Sequence, residues 1–187
     1  MAQRASLLLA LLAPGSIEAA VCREQDAIFG EHGLVSAIAL PPLVPIAFLD
    51  RGLQEGGKGR ELPRGFLGRV ERAAGAPYRF TVAGMSWEAG ALFLALDSGG
   101  VWGALREACA PETGGPDLFP VFEGFFLGCV EATDAQRESI RVQASDASFS
   151  SVSLALVSIL TPEAGAGWWR EVSYAVEEEK PLRGKRK

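Results

Sequence analysis

The chain has 187 residues, of which 48% are hydrophobic and 22% charged, and its formal net charge is −5. That length makes one domain, or one domain of two lobes, with ample apolar side chains for a core. The acidic balance excludes a non-specific nucleic-acid binder, which needs a dense basic surface.

The chain opens on Met1-Ala-Gln-Arg4 and then nine apolar or small residues, Ala5–Ala13. A continuous run of this length reads as a buried strand, Leu7–Ala13, covered on both faces. The alternative is a signal segment over residues 1–21 with Cys22 as a lipidation site. Pro14-Gly15 stops the run abruptly, and Glu18-Ala-Ala-Val21 is a poor cleavage signal. Ser16 can cap a helix from Ile17 to Phe29, with Ile17, Ala20, Val21 and Ile28 near one face and Gly30 and Gly33 at its end. Leu34–Leu40 is short and apolar. Pro41-Pro42 then introduces a strand, Pro41–Asp50, closed by Asp50-Arg51-Gly52. Pro45 inside it removes a ladder donor, which places the strand at a sheet edge or a bulge.

Residues 51–60 are glycine-rich and charged and read as a mobile loop. Their Gly-Gly-Lys-Gly lacks the spacing of a phosphate loop, and no Ser or Thr follows the lysine. Leu62–Ala74 reads as a helix with Phe66, Leu67 and Val70 inward, weakened by Gly65 and Gly68. Tyr78–Met85 alternates Tyr78, Phe80 and Val82 against Arg79, Thr81 and Ala83, a half-buried strand. Ala91–Leu96 is a second strand, with Ser86–Gly90 as the turn of a hairpin. Gly99–Ala110 reads as a helix with Val101, Trp102, Leu105 and Cys109 inward, and Pro111–Pro116 as a loop.

Leu118–Val130 is the second marked stretch, and within it begins Phe122–Glu131, the counterpart of Pro41–Asp50. Asp134–Gln143 is polar, either a short helix or a loop. Ser148–Leu160 alternates Val152, Leu154 and Leu156 against Ser151 and Ser153 and reads as a strand. Pro162–Gly167 is a turn, and Trp168–Val176 is the last strand. Residues 1–178 thus form a single two-lobed domain, and residues 179–187 a basic, flexible tail. A nucleic-acid or anion contact is the sharper reading of that tail. Each helix sits between strands, and a strand, helix, strand run occurs in each half. The fold class is α+β, an antiparallel-sheet and helix sandwich in two pseudo-symmetric lobes.

Cys22, Cys109 and Cys129 are far apart and odd in number. They form neither a disulfide framework nor a zinc pattern, and Cys109 and Cys129 read as small core residues. No cofactor or metal is expected. No segment reaches the roughly eighteen apolar residues of a membrane span, and the cysteine usage fits the cytoplasm.

The order of elements resembles the 2H phosphoesterase superfamily, in particular its 2′-5′ RNA ligase-like branch, over nearly the whole chain. Leu7–Ala13 resembles the family's opening strand. Ile17–Phe29 with Gly33-Leu34-Val35 resembles its first helix and exit. Pro42–Leu49 falls where the family has a proline and then His-x-Thr. Phe122–Val130 falls on the second His-x-Thr strand, and Phe149–Leu160 with Trp168–Val176 resembles the closing hairpin. The resemblance implies two lobes that each aim one strand into a shared cleft. It places the two histidine positions at Leu43 and Gly124 and the two threonine positions at Pro45 and Phe126. In such a site two imidazoles act as general acid and base and two hydroxyls hold phosphate oxygens. Leu, Pro, Gly and Phe supply none of this. The single histidine, His32, lies at a helix end. Of the carboxylates near the marked strands, Asp50, Asp97, Glu123 and Glu131, Glu123 alternates to the face away from the cleft. The serines at Ser145–Ser153 have no histidine placed to activate them, and Arg79 and Arg170 read as solvated surface.

The expectation is a catalytically degenerate 2H phosphoesterase-like protein with a non-enzymatic binding or structural role. Its cleft would be lined by Leu43, Pro45, Gly124 and Phe126, and would pack shut or accept an apolar ligand or a partner segment. One alternative is a diverged RNA 2′,3′-cyclic phosphodiesterase or ligase-like enzyme with replacement residues, for which RNA or a nucleotide would be the partner. A second is an exported or lipid-anchored protein.

Overall fold

The computed structural model describes residues 3–50, 62–75, 78–114, 117–143, 147–162 and 167–182. Eight strands form two antiparallel four-stranded sheets. The first sheet contains β1 (Gln3–Leu12), β2 (Leu43–Leu49), β7 (Val152–Pro162) and β8 (Ser173–Leu182), in the order β2-β1-β7-β8. The second contains β3 (Phe80–Glu88), β4 (Ala91–Asp97), β5 (Gly124–Gly128) and the short β6 (Ser148–Phe149), in the order β5-β4-β3-β6. The expected α+β, two-lobed architecture is what the chain adopts.

The apolar N-terminal run is β1, a central strand paired with both β2 and β7. Its alternate residues divide between two cores. Leu7, Leu9 and Leu11 join one apolar cluster, while Leu8 and Ala10 join another. Being buried on both faces is why the run is uniformly apolar and not alternating. β2 is an edge strand, and Ile46 is bulged out between Pro45 and Ala47, which pair with Ala10 and Leu9. Pro45 therefore sits both at an edge and beside a bulge, where its missing N–H costs no ladder bond.

Four helices connect the strands: α1 (Gly15–His32), α2 (Phe66–Ala74), α3 (Val101–Cys109) and α4 (Asp134–Ser139). α1 is longer than Ile17–Phe29. Ser16 does not cap it, because the N-cap is Pro14, which has no side-chain donor or acceptor to offer. At the other end Gly33, in the left-handed conformation, donates its N–H to Phe29 O at 2.8 Å. α2 begins at Phe66, four residues later than the sequence suggests, after Gly65 in the left-handed region. The part of the sequence after Thr133 is helical because Thr133 and Gln136 form a reciprocal capping box.

Further elements differ from the sequence expectation. Ser148–Leu160 is not one strand but divides into β6, in the second sheet, and β7, in the first. The hairpin between β3 and β4 is not a loop over Ser86–Gly90. β3 runs to Glu88, and the turn is Ala89-Gly90, both at positive φ. Trp168–Glu171 is a 3₁₀ turn rather than strand, because Gly167 at φ 103° redirects the backbone and Trp168 turns inward to bury its ring. β8 starts at Ser173 and carries on through Glu177–Glu179 to Leu182. The first part of the expected basic tail, residues 179–182, is therefore strand paired with β7. Residues 51–60, with the Gly-Gly-Lys-Gly stretch, and residues 183–187 lie outside the described residues. Among the described residues, no helix is long and apolar enough to cross a membrane.

One buried ion pair joins α2 to the 3₁₀ turn Ala110–Glu112. Arg69 Nη2 lies 2.7 Å from Glu112 Oε1, with Glu112 only 5% exposed and Arg69 41% exposed. The guanidinium also lies over the Phe66 ring, at 5.4 Å from its centroid. The two partners are unequal. Arg69→Met strands a buried carboxylate and is expected to cost about 3 kcal/mol or more. Arg69 Nε and Nη2 are shielded from water although the side chain as a whole is 41% exposed, but Glu112→Gln keeps an amide oxygen to accept from Nη2 and is expected to cost about 1 kcal/mol. Urea denaturation of the two variants measures the difference, and equal losses would contradict this assignment.

Candidate functional site

β2 and β5 are edge strands of different sheets, and they lie against each other. Of the four positions taken from the resemblance, two lie on each strand of this seam, and Leu43 and Phe126 share one apolar cluster. Leu43 pairs with Leu12 and Pro45 with Ala10. Gly124 pairs with Ala95 and Phe126 with Phe93. Leu43 and Phe126 belong to one apolar cluster with Leu8, Ala10, Phe48 and Phe93. Leu127 is bulged out of β5, between Phe126 and Gly128, just as Ile46 is in β2. The bulge falls three residues after Leu43 in one strand and three after Gly124 in the other, so the two strands match position for position.

The seam is closed. Leu43 and Phe126 are each 0% exposed. Phe119 stacks on Phe126, with centroids 4.2 Å apart and planes at 28°. Phe93 meets Phe126 edge-on at 5.6 Å, and Phe48 meets Phe119 edge-on at 5.1 Å. Trp168 completes the cover at 5.7 Å from Phe119. Each of these rings contributes about 1.5–3 kcal/mol by burial, with about 0.5–1.5 kcal/mol more per favourable pair. The sequence marks the strand residues of this cluster but not its cover. Phe119 lies in a stretch without periodicity, and Trp168 fits the alternation of a strand.

The backbones of both edge strands are held from the opposite lobe. Trp102 Nε1, on α3, donates to Pro45 O at 3.1 Å. Gln25 Nε2, on α1, donates to Phe126 O at 3.3 Å and to Leu40 O at 3.2 Å. Pro45 and Phe126 are matching positions, so the two contacts are counterparts. Gln25 is 4% exposed, a buried amide kept by its two acceptors.

The carboxylates beside β5 are also committed to structure. Glu123 accepts from the Ser98 N–H at 3.0 Å and from the Ser98 hydroxyl, which itself accepts from Trp102 N at 3.1 Å. Glu131 accepts from the Ser36 N–H at 2.9 Å and from the Ser36 hydroxyl, which accepts from Val130 N at 3.2 Å. Asp97 Oδ1 accepts from Gly99 N at 2.9 Å in the turn before α3. His32 is the last residue of α1. Its ring lies 3.9 Å from Glu31, and its carbonyl accepts from Gln136 Nε2 at 3.0 Å.

Two glycines of β5 allow the close packing. A Cβ on Gly124 would meet Leu94 O at 2.7 Å, and one on Gly128 would meet Ser36 O at 2.2 Å. Gly128 also has φ 77°, and Cys129 after it φ 60°. Burial pushes the Cys129 thiol up to about 12, with Glu131 adding to the shift, and burial likewise pushes Cys109 up to about 11. Neither is a nucleophile at neutral pH. Cys22 is raised by burial and by Glu18 and Asp26, but it is half-buried and can be reached.

Among the described residues, one open cavity borders the seam, on Ala47 and Phe48 of β2, and another lies away from it. One, of about 380 Å³, is lined by Phe48, Arg106, Thr113, Asp117 and Val121. The other, of about 450 Å³, is lined by Tyr78, Arg79, Ser148, Phe149 and Ser150 at the β3–β6 edge. The sequence singles out Arg79 and the serine run but not Arg106, which stacks over Trp102 at 4.9 Å. Among the described residues, no group of three or more His, Cys, Asp or Glu side chains is placed to hold a metal ion.

The two sheets, their edge-to-edge seam and the helix between the strands of each half make up the two-lobed fold of 2H phosphoesterase-like proteins. A solved structure with the same fold is TT0787 of Thermus thermophilus, with a TM-score of 0.60 and 18% identity, over 97% of this chain and 100% of that one. No protein-family model matches the sequence, and no curated protein sequence matches it. At this identity the likeness shows the fold alone.

Gly128→Ala is expected to destabilise the protein by about 3 kcal/mol or more, because it adds left-handed strain to a backbone collision. Gly124→Ala, with an ordinary φ and a milder collision, should lose about 1–3 kcal/mol. Denaturant titration ranks the two, and the reverse order would contradict the close approach of Ser36. A thiol reagent at neutral pH should modify Cys22 alone in the folded protein, and all three cysteines after unfolding. The buried thiols bind protons more tightly folded than unfolded. Stability should therefore be full below pH 9 and fall as pH rises from 9 towards 12. Melting temperatures across that range test the sign.

Proposed function

We propose that this chain is a non-catalytic 2H phosphoesterase-like protein whose working cleft has become a structural seam. The observation that carries the reading is the burial of Phe126 beneath Phe119, at a position where the fold would otherwise present a phosphate-binding hydroxyl. On this reading Leu43 and Gly124 stand where proton carriers would be. Leucine offers no proton, and the Leu94 carbonyl takes the place of any side chain at 124. The nearby donors that could bind a phosphate oxygen, Trp102 Nε1 and the Gln25 amide, are occupied by backbone carbonyls. The protein's role is then binding or scaffolding, and its cytoplasmic placement rests on three free cysteines. Processing after residue 21 would remove β1 and leave β2 and β7 without their shared neighbour.

The test is hydrolysis of a short RNA with a 2′,3′-cyclic phosphate end. No turnover above the uncatalysed background is expected, and no protection of the melting temperature by the RNA. Turnover that disappears in His32→Ala at an unchanged melting temperature would overturn the reading and establish a phosphodiesterase with replacement residues. Glu123→Ala is a poorer probe, because it removes the partner of Ser98 and disturbs the fold as well.

A further inference from the structure

The seam hides two sheet edges, but the first sheet has another, β8, and among the described residues no strand pairs with its outer side. Seven consecutive residues, Ser173–Glu179, are all exposed, although the strand is paired with β7 along its length. Tyr174 is 47% and Val176 44% exposed, and they pair with Ile159 and Val157 of the seam-facing side. Ala175 pairs with Ser158, on the opposite side of the sheet. Beyond Val176 the register shifts at Glu177, so that Glu178 pairs with Leu156 and Glu179 with Ala155. Lys180, next along, is drawn onto α2 by Glu71 at 2.8 Å.

A bare edge offers a row of backbone donors and acceptors and invites another strand. Acidic side chains and a bulge are what keep such an edge from pairing with arbitrary chains. Glu178 and Glu179, both exposed along this one, also define the charge of a strand that would be accepted. Alternation sends Glu178 and Glu179 to opposite faces, so a basic partner can be held from both sides. A second copy of this chain would bring its own glutamates to the same edge, and like charges across a strand pair are destabilising.

We propose that the outer edge of β8 is a docking site for an extended, basic segment of a partner protein. The segment adds as a strand along Ser173–Glu179. Its backbone pairs with β8, its Lys or Arg side chains meet Glu178 and Glu179, and an apolar residue covers Tyr174 and Val176. The site is separate from the seam and does not depend on whether the seam is catalytic.

Fluorescein-labelled acetyl-Lys-Val-Lys-Val-Lys-Val-amide, titrated with the full-length protein, tests this by fluorescence anisotropy. Saturable binding is expected, weakening as salt is raised. Hydrogen exchange should slow at residues 173–179 in the complex. Glu178→Lys/Glu179→Lys should weaken binding about tenfold or more. Glu178→Gln/Glu179→Gln should also weaken it, and guards against a fold disturbed by the lysines. The same peptide with alternate backbone nitrogens methylated should fail to bind. Equal binding of the methylated peptide would mean attraction by charge alone and would overturn the proposal. Absence of binding, or exchange protection elsewhere than β8, would do the same. So would a concentration-dependent dimer of the protein protected at residues 173–179, which would assign the edge to a second copy.

Discussion

Two sheet edges meet inside this molecule, and neither can be left bare. β2 and β5 each turn one row of backbone groups away from their sheets, into a space from which water is excluded. A buried carbonyl or N–H without a partner costs as much as a lost hydrogen bond. Much of the architecture around the seam meets this constraint. The Trp102 indole takes the Pro45 carbonyl and the Gln25 amide takes that of Phe126. Farther along β2, Asp50 N donates to Glu112 O, and Gly114 N donates to Phe48 O. Ser36 gathers the end of β5 through Val130 N and Glu131. The Arg69–Glu112 pair in turn fixes the 3₁₀ turn that supplies the Glu112 carbonyl.

With the backbone settled in this way, the side chains of the seam are free to be apolar. A cleft that binds a charged substrate must keep unsatisfied donors ready and exposed to water. On the proposed reading, the donors of such a cleft are here spent on the edges, and aromatic rings fill the space. The seam is therefore a second core that joins the sheets, alongside the first core beneath the helices.

Periodicity makes the strands and helices legible. Tyr78, Phe80 and Val82 state their face plainly, the unbroken apolar run of β1 marks a strand covered on both sides, and Pro45 announces an edge or bulge that turns out to be both. The correspondence of Pro41–Asp50 with Phe122–Glu131 is also visible, through the matching order of elements. What the sequence hides is set by contacts distant along the chain. Gln25 looks like any polar helix residue until Phe126, 101 residues away, supplies its acceptor. Ser36, in the 3₁₀ turn Val35–Ile38, and Ser98, in the turn before α3, are short polar residues, and nothing local marks them as partners of Glu131 and Glu123. Trp168 fits an alternating pattern by coincidence, because the pattern cannot register the positive φ of Gly167. Phe119 has no pattern to fit.

The crossed helices have a consequence for how the chain reaches this state. α1 is strung between two strands of the first sheet, yet its amide holds the edge of the second. α3 is strung between two strands of the second, yet its indole holds the edge of the first. Each half thus lends the other a part that it lacks itself. Neither half is a finished foldon, since a lobe formed alone would have an open edge and a helix with no strand to hold. The whole gains cooperativity: the two sheets should consolidate in one late step, and the slow part of folding is the meeting of residues that lie far apart in sequence.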